Sequence, residues 1–105
     1  MTTPVTVLVP IKIAEGKTET DLLKASDRFH QEFVRHQPGV LRRELIRTPE
    51  GEYIDIVQFR STEDAHDVMA KEQDSEACHA FFSIMELGDM NEEEMVFYPS
   101  LATYS

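Results

Sequence analysis

The sequence predicts a single α+β domain in the order β-α-β-β-α-β, with a four-stranded antiparallel sheet and both helical segments on one face. Three observations carry that expectation. Stretches of period-two hydrophobicity and stretches of helical period succeed one another in that order. A Pro-Gly pair falls where the first helix must give way to a strand, and a Pro-Glu-Gly triplet falls between two strands. The 105 residues leave room for one core, so the domain runs over 1–105.

Val5, Val7, Val9, Ile11 and Ile13 alternate with Thr6, Leu8, Pro10 and Lys12, which is a strand. Pro10 cannot donate to a ladder, so it belongs at a bulge or an unpaired edge. Thr18 followed by Asp21 is a capping-box-like start. Leu22, Ala25, Phe29 and Phe33 then recur at helical spacing, giving an amphipathic helix from Glu19 to His36 that Pro38-Gly39 stops. Val40 to Thr48 and Glu52 to Arg60 form a hairpin around Pro49-Glu50-Gly51, with Gly51 in the left-handed position. Ser61 with Asp64 opens the second helical region through Ala65, Val68 and Met69. Asp74-Ser75 interrupts it, and either residue can cap a second piece through Ala77, Cys78, Phe81, Ile84 and Met85. Gly88 to Glu94 reads as a polar loop, and Met95 to Tyr104 as a last strand broken by Pro99. This arrangement is the ferredoxin-like one.

The formal net charge of −10 is concentrated in residues 61–94, which hold eleven acidic side chains against Lys71 alone. Basic density is confined to Arg42, Arg43 and Arg47, so neither nucleic acid nor an anionic membrane surface is an expected partner. No apolar run approaches the ~20 residues of a spanning helix. Met1 to Pro10 has neither the basic start nor the apolar core of a secretory signal. One cysteine, Cys78, excludes an internal disulfide, and the expected location is cytoplasmic.

With helices on one side, the other sheet face of a monomer should be polar. If Thr48 opposes Glu52, Ile46 lies across from Ile54 and Leu41 across from Phe59. One face then holds Leu41, Leu45, Tyr53, Val57 and Phe59 with Arg43, Arg47 and Asp55. The other holds Val40, Ile46, Ile54 and Ile56 with Arg42, Glu44, Gln58 and Arg60. Both are apolar enough to need cover. The simplest cover is the same face of a second copy, giving a homodimer in which two sheets form an α/β barrel.

Strand, helix, Gln37-Pro38-Gly39-Val40-Leu41, the hairpin, and then Gln58-Phe59-Arg60-Ser61-Thr62-Glu63-Asp64-Ala65 resemble the antibiotic biosynthesis monooxygenase group over about residues 5–104. That group belongs to the dimeric α/β-barrel superfamily. The resemblance implies a pocket between sheet and helices in each subunit. There, cofactor-free members take an electron-rich phenol or anthrone, remove a proton and let the resulting carbanion react with oxygen. Haem-degrading members of the superfamily use a histidine, an asparagine and a tryptophan. The corresponding positions here are His79, Val9 or Pro10, and Phe59, so no cofactor is expected.

On this resemblance the proton acceptor is His79 or His66, and the substrate-binding residues are Phe33, Tyr53, Phe59, Phe81 and Phe82. Each histidine also has a plain reading as a helix surface residue, and each aromatic as core. His66 and His79 are thirteen apart, which is not a zinc spacing, and no metal is expected. Cys78 reads as buried and inert. Arg43, Arg47 and Asp55 share a face as an ion pair, or as a site for an acidic ligand. The functions left open are a cofactor-independent monooxygenase acting on a small aromatic compound, and a non-catalytic small-molecule-binding or stress-associated dimeric barrel.

Overall fold

In the computed structural model, which describes residues 3–86 and 96–104, strand β1 (Val5–Ile11) is followed by helix α1 (Glu19–Glu32) and a 3₁₀ turn (Val34–His36). Strands β2 (Val40–Arg47) and β3 (Tyr53–Phe59), helices α2 (Thr62–Glu72) and α3 (Glu76–Ser83), and strand β4 (Phe97–Pro99) complete the order. The sheet is antiparallel throughout, in the order β2-β3-β1-β4. The polar loop expected at Gly88 to Glu94 lies outside the described residues, as does Met95.

Local chemistry accounts for the boundaries. The Thr18 hydroxyl accepts from the Asp21 N–H at 3.2 Å, and the Asp21 carboxylate accepts from the Thr18 N–H at 2.9 Å, which is the reciprocal capping box. Helix α1 is shorter than the spacing predicts. Its last turn tightens to 3₁₀ because Gln37, preceding Pro38, is held extended at φ −98°, ψ 107°. At the break between the second pair of helices it is Ser75, not Asp74, that caps α3, accepting from the Cys78 N–H at 3.1 Å. In the hairpin, Thr48 N–H donates to Glu52 O at 2.8 Å and Gly51 takes φ +84°.

Register decides which side chains face the helices. Val5, Val7, Val9 and Ile11 stand beside Phe59, Val57, Asp55 and Tyr53. They form the sheet side of a core that α1 fills with Leu22 and Phe29, α2 with Ala65 and Val68, and α3 with Cys78 and Phe81. Ile46 does pair with Ile54. Leu41 does not pair with Phe59, however. The ladder shifts between Val40 and Arg42, so Val40 is the partner of Phe59. The bulge turns Val40 toward the helices and leaves Leu41 exposed, reversing the expected assignment of both. The open face instead carries Leu8, Pro10, Ile46, Ile54 and Ile56, with Thr6, Arg42, Glu44 and Gln58. Strand β4 is much shorter than expected. Beyond Pro99 only the Ser100 N–H continues, to Pro4 O at 2.8 Å, and the following residues fold over Gln58, whose amide donates to Ser100 Oγ and Thr103 Oγ1 at 3.1 Å each.

Gly39 sits where the chain enters β2. A Cβ there would lie 2.8 Å from Asp64 Cβ, and Asp64 is tied by Arg60 (2.8 Å) and Ser61 (3.0 Å). Gly39→Ala is therefore expected to cost about 1–3 kcal/mol, read as a lowered urea midpoint with unchanged slope. An unchanged midpoint would mean that Asp64 moves aside freely.

Candidate active site

Between the sheet and the helices lies a cavity of about 500 Å³. Its floor is Val7, Val9 and Ile11 of β1 with Val57 and Phe59 of β3. Phe29 of α1 and Phe81 and Phe82 of α3 form the opposite wall. The break at Ser75 lets α3 leave the line of α2. The chain after α3 then runs back along the continuation of β1, with Ala14 N–H donating to Ile84 O at 2.9 Å and Glu86 N–H to Lys12 O at 2.7 Å. This closes one end of the space.

One polar group is set into the apolar wall. Arg43 Nε donates to both Asp55 carboxylate oxygens at 3.0 Å, Nη2 donates to Ser26 Oγ at 2.9 Å, and Nη1 reaches Ser26 O at 3.4 Å. The guanidinium lies 5.2 Å from the ring centres of both Phe29 and Phe81. The Arg43 and Asp55 side chains are only 6% and 7% exposed, yet both border the cavity. Burial pushes the Asp55 carboxyl above its ordinary range, against the smaller opposing pull of Arg43. Ser26, a small polar residue between Leu22 and Phe29 on the buried side of α1, was the overlooked partner. A serine on an otherwise apolar helix face is the signal that could have found it.

The structure brings together some of the expected residues. Phe59, Phe81, Phe82 and His79 border the cavity. His79 stands at its solvent side, with Nε2 2.7 Å from Gln73 O. Since a carbonyl only accepts, Nε2 is the nitrogen that donates to Gln73 O. His66 is not among the lining residues; its ring packs 5.0 Å from that of Phe97. Phe33 lies behind the wall, stacked on Phe29 at 5.5 Å. Tyr53 faces the start of α1, where its hydroxyl donates to Glu19 at 3.1 Å, and Arg47 joins the same carboxylate at 2.9 Å instead of Asp55. Cys78 is fully buried, and burial, with a smaller contribution from Glu72, pushes its thiol up to about 12, so it is inert.

The backbone resembles solved structures over nearly its whole length. Two structures of SnoaB, a cofactor-independent oxygenase from Streptomyces nogalater, match with TM-scores of 0.73 and 0.72 at 16% identity, covering 96% of this chain and 96% of theirs. The fold is that of the antibiotic biosynthesis monooxygenases. A protein of Chloroflexus aurantiacus proposed to be one matches with a TM-score of 0.71 at 10% identity, covering 98% of each chain. Another from Caulobacter crescentus matches at 0.68 and 17% identity, covering 98% of this chain and 92% of its own. No family model and no curated protein matches the sequence.

Of the histidine, asparagine and tryptophan set out above for haem, this cavity offers only the histidine, His79. Val9 and Phe59 fill the cavity floor, and the His79 Nε2 is already engaged by Gln73. Among the described residues no helix is long and apolar enough to cross a membrane, and no cluster of His, Cys, Asp or Glu could hold a metal ion.

Proposed function

We propose that this protein is a cofactor-independent monooxygenase acting on a planar aromatic compound that carries an acidic hydroxyl. The observation that carries this reading is the apolar cavity with a single buried ion pair in its wall. Aromatic rings offer a flat ligand stacking surfaces, and the few polar groups set its orientation. The backbone likeness to a cofactor-independent oxygenase supports the same reaction class.

The chemistry needs no bound redox group, because the substrate supplies all the electrons. Loss of a proton places negative charge on the ring, and the ring carbon forms a C–O bond with oxygen. The peroxide takes up a proton. Loss of the remaining C–H proton with O–O cleavage then leaves a ketone and releases water. The hydroxyl O–H and one ring C–H give up four electrons between them, and one O₂ accepts four. The protein must exclude bulk water and accept the first proton. Three titratable acceptors border the cavity, His79 at its solvent side, Glu72 on α2 and Asp55 in its wall.

The working form proposed is a homodimer. Leu8, Ile46, Ile54 and Ile56 on the open face lack cover from the helices, Leu8 being 44% exposed, and Leu101 nearby in the chain's end is 98% exposed.

Oxygen uptake is expected when the protein is mixed with 1,8-dihydroxyanthrone or a member of a hydroquinone panel. Consumption should be one O₂ per substrate, with one labelled oxygen atom retained in the product. Tight binding of these compounds with uptake no faster than in buffer would favour a non-catalytic binding protein.

A further inference from the structure

The Arg43–Asp55 pair is more than the fold requires. A buried ion pair is a weak source of stability, and an apolar pair of similar volume often serves as well. This one is set among Phe29, Phe81, Val57 and Val9, and both of its members border the cavity. Of the five guanidinium N–H groups, Nε–H binds Asp55 and one on each terminal nitrogen points to Ser26. That leaves one N–H on each terminal nitrogen without a protein acceptor among the described residues.

An aromatic hydroxyl entering this space could lose its proton in two ways. Transfer to His79 would leave two anions, the new oxyanion and Asp55, sharing one guanidinium in an apolar wall. Transfer to Asp55 exchanges one anion for another beside a fixed cation, so the charge of the cluster does not change. In a poorly solvated site the second route is favoured, because no additional charge has to be buried. The other titratable groups bordering the cavity are Glu72 on α2, which hydrogen-bonds the Cys78 thiol, and His79 on α3, whose Nε2 is held by Gln73 O.

We infer that Asp55, held by Arg43, receives the proton of a bound aromatic hydroxyl, and that Arg43 then holds the oxyanion. The proton moves from ligand oxygen to carboxylate oxygen, giving a neutral carboxylic acid and an aryloxide, with no change in oxidation state. The assignment rests on the aromatic ligand class proposed above and specifies the base and the counter-ion. Burial of Asp55 acts in the same direction, since it raises the proton affinity of the carboxylate.

The test uses 7-hydroxycoumarin, whose neutral and anionic forms absorb at different wavelengths, with 7-methoxycoumarin as the control that has no proton to give. At a pH where the free probe is neutral, the wild-type protein should bind it as the anion. The wild type should take up the anion without releasing a proton to solvent, whereas Asp55→Asn, which leaves Arg43 an unpaired cation, should release about one proton per anion bound, read in weakly buffered solution. His79→Ala should keep the anion band. If Asp55→Asn does not fold, Arg43→Met/Asp55→Leu, which buries no charge, should bind the neutral form. Proton release by the wild type, or an anion band that disappears in His79→Ala, would overturn the assignment, as would a neutral bound probe or no probe binding in the wild type. Anion formation without oxygen uptake on any phenol would leave this assignment standing and defeat the oxygenase reading. Oxygen uptake with a neutral bound probe would do the reverse.

Discussion

Asp55→Asn is expected to lower the free energy of unfolding by about 3–5 kcal/mol, the usual cost of leaving one member of a buried ion pair without its counter-charge. The amide keeps the shape of the carboxylate. Arg43 would then be a buried cation with only Ser26 and two ring faces for company. Arg43→Met/Asp55→Leu removes both charges and should lie close to the wild type in stability or above it. Urea unfolding of the three proteins checks this, and equal midpoints for Asp55→Asn and wild type would contradict the buried geometry.

Ile56→Asp is expected to convert the proposed dimer into a folded monomer. Ile56 lies in the middle of the open face, across from Leu8 on one side and Glu44 on the other. A carboxylate there would meet the partner's apolar face without a counter-ion and would add to the charge of Glu44. Burying such a charge costs on the order of 2–5 kcal/mol, which is roughly a thirtyfold to several-thousandfold weaker Kd. The helix-side core does not include Ile56, so circular dichroism should be unchanged while light scattering reports half the mass. A wild-type protein that scatters as a stable monomer at micromolar concentration would remove the dimer from the proposal.

The order of elements, the capping box at Thr18, the hairpin turn at Pro49-Glu50-Gly51 and the break before α3 were legible in the sequence because each is decided within a few residues. Hydrophobic period, a side-chain oxygen three residues before an N–H, and a glycine at φ +84° act locally. The aromatic supply of the cavity was legible for the same reason, since Phe29 and Phe33 recur at helical spacing and Phe81 and Phe82 are neighbours on α3. Side-chain parity at the start of β2, at Val40 and Leu41, was not. One displaced residue at Leu41 exchanges the faces of Val40 and its neighbours, and only the ladder with β3 decides where that residue sits. The rotation of α1 over the sheet was equally out of reach. It puts Phe29 on the cavity and Phe33 behind it, sends Arg47 and Tyr53 to Glu19, and brings Ser26 to Arg43. The sequence by itself therefore determined the fold class and the kinds of residue available to a site. The tertiary structure decided which of them share the cavity, because that depends on strand register and helix rotation, which long-range packing sets.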